Sequence, residues 1–149
     1  MRRAREVRAA GEWNGVSAVD SVTLDAHERY RRRIVLTGER GTRFLLDLPR
    51  AVALRDGDAL VLDDDALIRV AGRPEPLVEV TAADSEALAR LAWHIGNRHV
   101  DVQIMADRFR IRRDHVIEDM LRSLGARLTA IEAPFEPEAG AYDHDSFHV

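Results

Sequence analysis

The hydrophobic positions change period once along the chain. Up to residue 74 they fall in short runs of strand length: YRRRIVLT (30–37), TRFLLDL (42–48), ALVLDD (59–64) and ALIRVAG (66–72). Between them stand Gly38, Arg40-Gly41, Asp56-Gly57 and the acidic step Asp63-Asp64-Asp65, residue types that turn a chain. No window in this half carries a sustained helical period. The expectation is a small all-β domain of six or so strands over residues 1–74. GRPEP at 72–76, with two prolines and a glycine, predicts the linker that ends it.

Beyond the linker the pattern alternates between two periods. LVEV (77–80) reads as a strand. Asp84 is placed to cap a helix and Glu86 adds favourable charge to its first turn. Leu88, Leu91, Ala92 and Ile95 follow at helical spacing, and Gly96 predicts the stop. Val100, Val102 and Ile104 then alternate as in a half-buried strand, and residues 105–108 turn the chain. Phe109 and Ile111 alternate with Arg108, Arg110 and Arg112, a strand with one wet face. Asp114 predicts a second cap. Val116, Ile117, Met120, Leu121 and Leu124 form the apolar face of the helix, and Gly125 ends it. RLTAIEA (127–133) closes as a strand.

The order is β-α-β-β-α-β, the ferredoxin-like arrangement with two helices on one face of an antiparallel sheet. The predicted fold class is α+β: an all-β domain over 1–74, a ferredoxin-like domain over 75–135 and a flexible tail over 136–149. The C-terminal stretch PFEPEAGAYDHDSFHV (134–149) has two prolines, little apolar content and no period.

Composition narrows the function. The net charge is −4, the wrong sign for a nucleic-acid footprint, and Phe109 is the one aromatic available to a base-stacking sheet. All 22 basic residues are Arg, spread evenly enough to reflect coding bias rather than a binding patch. The absence of Cys excludes disulfides, iron–sulfur clusters and thiolate zinc sites. No apolar run approaches the ~18 residues of a membrane span, and the basic start has no signal-peptide core. These features predict a cytoplasmic protein. The signatures of zinc peptidases, serine hydrolases and nucleotide-binding loops are missing, so no enzyme is predicted. Asp63-Asp64-Asp65 and Glu118-Asp119 read as solvated turn and helix faces.

The histidines are what remains. His94 and His99 flank Ile95-Gly96-Asn97-Arg98. Five residues apart is about 140° round a helix, so they form no chelating pair on one face. His94 falls in a last helical turn, where a structural role suffices. His99 lies beyond the glycine. His115 follows the Asp114 cap, where a neutral imidazole can bind a metal or a partner, though a surface polar residue is the more ordinary reading. His144 and His148, with Asp143 and Asp145, give the tail donors suited to nickel, copper, zinc or iron.

Two stretches of this chain, HIGNRHVDVQI (94–104) and IRRDHVIEDMLRSLGARLTAIEAPFEPEAGAY (111–142), resemble the urease accessory nickel chaperones of the UreE family. RIVLTGERGTRFLLDLPRAVALRDGDALVLDDDALIRV (33–70) is similar to that family's N-terminal domain. The resemblance implies a β domain like peptide-binding chaperone modules and a homodimer made through the second domain. It implies that His99 and its symmetry mate bind Ni(II) on the two-fold axis, with His144 and His148 completing the site and His115 a dispensable secondary ligand. It further implies a UreG-type GTPase, other urease accessory proteins and the urease apoprotein as partners, with neither nucleic acid nor membrane among them. Zn(II) or Cu(II) would also bind in vitro. The alternative is a metal-independent adaptor that holds a partner segment on its β domain. Departures from the family are the two-histidine tail, Asp65 where a turn glycine is common, and Ala51 after LPR.

Overall fold

A computed structural model describes residues 1–139. The chain divides into two compact units, Met1–Pro74 and a second beginning at Glu75.

The first unit is a six-stranded sheet. Its strands are β1 (Arg2–Arg8), β2 (Ala18–Leu24), β3 (Tyr30–Thr37), β4 (Arg43–Ala53), β5 (Ala59–Leu62) and β6 (Leu67–Gly72), in the order β2-β6-β5-β1-β4-β3. The core is one face of the pleat: Ala4, Val22, Phe44, Leu46, Leu60, Leu62, Ile68 and Val70 are buried together. One short helix, α1 (Ala26–Arg29), breaks the all-strand pattern. It forms because Asp25 accepts from the Glu28 N–H while the Glu28 side chain accepts from Asp25, a reciprocal capping box. β2 and β3 are the two edges of the sheet, yet the turn after β3 reaches β2. The Glu39 N–H donates to the Ser21 carbonyl at 2.8 Å, and the Asp20 carboxylate accepts from the N–H groups of Arg40 (2.9 Å) and Thr42 (3.1 Å). The sheet therefore curls until its edges are tied, which protects otherwise unpaired strands.

The acidic step after β5 is a three-residue hairpin loop with Asp65 left-handed at φ 67°. Left-handed backbone costs an ordinary residue about 1–2 kcal/mol; glycine removes that cost but gives back part of the gain by loosening the unfolded chain. Asp65→Gly is expected to stabilise the first unit by about 0.5 kcal/mol, read as a higher denaturation midpoint. An unchanged or lower midpoint would show that the aspartate is at ease in this backbone.

In the second unit the expected order is present: β7 (Glu75–Thr81), α2 (Ser85–Asn97), β8 (Gln103–Ile104), β9 (Phe109–Arg112), α3 (His115–Ser123) and β10 (Arg127–Ala133). The sheet order β10-β7-β9-β8, antiparallel throughout, is that of a ferredoxin-like fold. Val78, Val80, Phe109 and Ile111 meet Leu91, Ile95, Ile117 and Leu121 of the two helices in its core. The linker is shorter than GRPEP suggested. β6 ends at Gly72 and β7 begins at Glu75, with Pro76 opposite Glu132 in the ladder. Proline is tolerated so near a strand's start. β8 is also shorter than the Val100–Ile104 alternation suggested. The Val100 N–H donates back to Ile95 and the Val102 carbonyl accepts from Glu138, so neither group is spent on the ladder.

Glu118 corrects another expectation. It is buried rather than solvated, and accepts from the Arg113 guanidinium and from the Asp114 N–H at 2.9 Å. Arg113 holds its carboxyl below the usual range against the opposing effect of burial. Among the described residues no helix is long and apolar enough to cross a membrane.

The sheet face away from the helices is charged. Glu79 takes both Arg110 (2.8 Å) and Arg108 (2.8 Å), and these guanidinia, Arg110 foremost, hold its carboxyl down. Leu77 and Arg112 are paired on this face, and the Arg112 guanidinium stacks on the Phe135 ring at 4.7 Å. Phe135 is fully buried. The flexible tail was expected from residue 136. Instead the Glu136 N–H donates to the Gln103 side chain (3.1 Å) and the Glu138 N–H to the Val102 carbonyl (2.7 Å). The chain leaving β10 at one sheet edge thus crosses to β8 at the other.

Candidate metal centre

The corner between α2 and β8 is built by backbone chemistry. Asp84 caps α2 by accepting from the Ala87 N–H at 2.8 Å, and Leu91 and Ile95 bury its inner face. The helix does not stop at Gly96. It runs to Asn97, with Arg98 as the C-cap. His99 then takes the left-handed conformation at φ 58°. Its N–H donates to Gly96 (3.1 Å), and the Val100 N–H donates to Ile95 (3.3 Å). This double reversal is the Schellman motif, whose left-handed position normally belongs to glycine. The second helix obeys that rule. Gly125, at φ 92°, donates to Arg122, and Ala126 donates to Leu121. The same turn is made twice, once with glycine and once with histidine. Left-handed backbone at a non-glycine residue is a cost that structures retain chiefly at functional positions.

The motif fixes the Cα–Cβ direction of an exposed imidazole. His99 lies in solvent, while Val100 folds inward against the core. His94 is half-buried and meets the Trp93 ring edge-on, with centroids 5.1 Å apart. It belongs to the helix surface. His115 is exposed at the first position of α3, beside the Asp114 cap. These three histidines stand on α2, at the corner that follows it and at the start of α3. Among the described residues, no three His, Cys, Asp or Glu side chains gather closely enough to hold a metal ion. His144 and His148, with Asp143 and Asp145, lie outside the described residues. The strap from Phe135 to Glu138 was not anticipated. Its signal was present in PFEPE, an aromatic between two prolines. It ends on Val102, three residues after His99. Among the described residues of this unit, the large apolar side chains of Trp93, Ile104, Val116 and Leu124 stand in solvent.

These features define a two-domain α+β protein: a curled all-β unit, then a ferredoxin-like unit that displays one backbone-fixed histidine with no complete ligand set among the described residues. The UreE urease accessory protein N-terminal domain matches residues 2–72, and the C-terminal domain of the same family matches residues 75–149. A urease accessory protein UreE of Rhodopseudomonas palustris (strain HaA2) is 57% identical, over 95% of this chain and 66% of its own length. The protein of the same name from Bradyrhizobium sp. (strain ORS 278) is 57% identical over 98% of this chain and 69% of its own. That from Rhodobacter capsulatus is 47% identical over 100% of this chain and 97% of its own. The chain therefore spans about two thirds of the first two relatives and nearly all of the third. It belongs to the UreE urease accessory protein family.

Proposed function

We propose that this protein is a nickel metallochaperone of urease maturation rather than an enzyme. Nickel is its cargo. The observation that carries the reading is His99, an exposed imidazole held at the one helix-ending position where glycine would be cheaper. One imidazole does not hold a metal. A homodimer formed through the second unit supplies its twin, because a two-fold interface brings identical residues together. The exposed Trp93, Ile104, Val116 and Leu124 are apolar surface that such a partner could cover. His144 and His148 from either chain complete the ligand set, and His115 stays a secondary, dispensable donor. A site finished by donors that can leave suits transfer, since a closed cage would retain the ion. The recipients are a UreG-type GTPase, its fellow accessory proteins and apo-urease, in the cytoplasm. Copper and zinc compete in vitro because ligand type alone does not reject them.

Isothermal titration of Ni(II) into the purified protein tests this, wild type beside His99→Ala. One tight nickel per dimer is expected, weakened at least 100-fold in the variant. Binding that survives the substitution would remove His99 from the site. No tight binding in either protein would leave the metal-free adaptor as the better description. Protons compete with metal for imidazole, so wild-type affinity is also expected to fall as the solution is acidified. Full affinity at pH 5 would contradict histidine ligation.

A further inference from the structure

The backbone ladder between β8 and β9 is short. Ile104 faces Phe109, Gln103 faces Arg110, and there it stops. Carried two residues further, the same antiparallel register sets Asp101 opposite Arg112. At that step side chains replace the ladder. The Arg112 guanidinium donates to the Asp101 carboxylate at 2.9 Å. Asp101 stands two residues beyond His99, so the pair ties the corner to β9.

A half-exposed ion pair usually contributes little, because two long side chains must be immobilised to form it. Arg112 is immobilised already. Its Nε donates to Glu75 at 3.4 Å, and its guanidinium lies 4.7 Å from the centre of the buried Phe135 ring. Its backbone is paired with Leu77 in the ladder. Asp101 has only a short side chain to order. The corner has need of such a tie. The His99 N–H donates to Gly96 at 3.1 Å and the Val100 N–H to Ile95 at 3.3 Å, both long bonds back to α2. Neither of those bonds reaches the sheet, and the pair of Asp101 with Arg112 does.

We propose that Arg112 is a positioning residue for nickel: held by Glu75 and Phe135, it grips Asp101 and so fixes the corner that presents the His99 imidazole. The inference rests on the nickel reading above. It predicts a sign that charge alone does not. Arg112 brings positive charge to the corner that receives a cation, so on charge alone its removal would strengthen binding. If it positions the corner, the same removal weakens binding.

The test is a titration of Ni(II) into wild type, Arg112→Gln, Asp101→Asn and the double variant, with His99→Ala alongside. A nickel on a two-fold axis is held by two such corners, and each ion pair is worth a factor of about 2, so each single variant is expected to weaken nickel about 4- to 5-fold. The double variant is expected to be no weaker than either single, because both break one link. Amide exchange at Val100 in the metal-free protein is expected to quicken in all three, with the melting temperature held. Unchanged or tighter nickel binding in Arg112→Gln overturns the proposal. So do single effects that add in the double variant. Should Arg112→Gln lower the melting temperature, the weight passes to Asp101→Asn, which leaves the guanidinium on the Phe135 ring. It must then show both weaker nickel and faster Val100 exchange, since loss of charge would give the first without the second. If His99→Ala abolishes binding while Arg112→Gln and Asp101→Asn bind like wild type, the positioning role fails and the nickel reading stands. If His99→Ala binds like wild type, both fail.

Discussion

His99→Gly is expected to make the protein more stable and useless for nickel. The two Schellman turns of the ferredoxin-like unit provide an internal comparison. Gly125 ends α3 at φ 92° and His99 ends α2 at φ 58°, with matching hydrogen bonds. The second turn carries a side chain where left-handed backbone crowds it, and histidine is somewhat more tolerant of this than most residues. Glycine would remove the crowding and return part of the gain through a looser unfolded chain. The net gain is about 1 kcal/mol, a rise of about 4 °C in melting temperature for a unit of this size. The imidazole is lost with it, so nickel affinity falls at least 100-fold, as in His99→Ala. Thermal melts followed at Trp93, on the same helix, beside a nickel titration, measure both. A gain in stability with a loss of binding identifies a residue retained against stability. A loss of stability would mean that the side chain holds the corner together. His99 would then be a structural residue and the metal would need another home.

This trade explains what the sequence could and could not disclose about the corner. Gly96 looked like the helix stop because glycine usually is. The stop fell three residues later, on a residue whose propensity argues against it. Local preference misreads a helix end at which a non-glycine residue takes the left-handed turn. Elsewhere the pattern was faithful where one face is buried and one wet. RLTAIEA became β10 at the same residues, and Asp84 and Asp114 both cap their helices. It failed where burial and pattern part. β1 lies inside the first sheet between β4 and β5, yet reads RRAREVR. Ala4 alone is fully buried, and the arginines around it reach outward to partners such as Asp47 and Asp64. The strap was hidden for a different reason. Prolines and glutamates look like mobile chain until one aromatic finds a cation to lie under, and that meeting is a fact of tertiary structure. The proposed metal site is less legible still. The ligand set proposed for it is divided between a corner, a tail and a second copy, and no periodicity connects them.

Acid should unpick the first unit at Asp20. The residue is 5% exposed, and its carboxylate accepts N–H groups from Ser21 (2.7 Å), Arg40 (2.9 Å) and Thr42 (3.1 Å). Burial pushes its pKa up. The Arg40 N–H, the Thr42 hydroxyl and the remaining amides outweigh that and hold it at about 2. Gly38 is required beside it, since a Cβ there would collide with the carboxylate. A folded pKa near 2 against an ordinary 3.8 means that the charged form is favoured by folding. The stabilisation is complete above about pH 4 and is lost as pH falls toward 2, and it amounts to about 2 kcal/mol. Asp20→Asn keeps the shape but replaces one acceptor oxygen with a donor that faces amide N–H groups, leaving at least one buried donor unpaired. It should therefore cost about 2 kcal/mol at pH 6, and the deficit should shrink as wild type loses its own charge. With Trp93 replaced by Phe, Trp13 reports the first unit alone, and urea titrations at pH 6, 4, 3 and 2 give the comparison. Convergence of the two proteins at low pH would locate the acid sensitivity in the tie between the turn after β3 and the edge of β2. A deficit that stays constant with pH would mean that the carboxylate's shape, not its charge, holds the two edges of the sheet together.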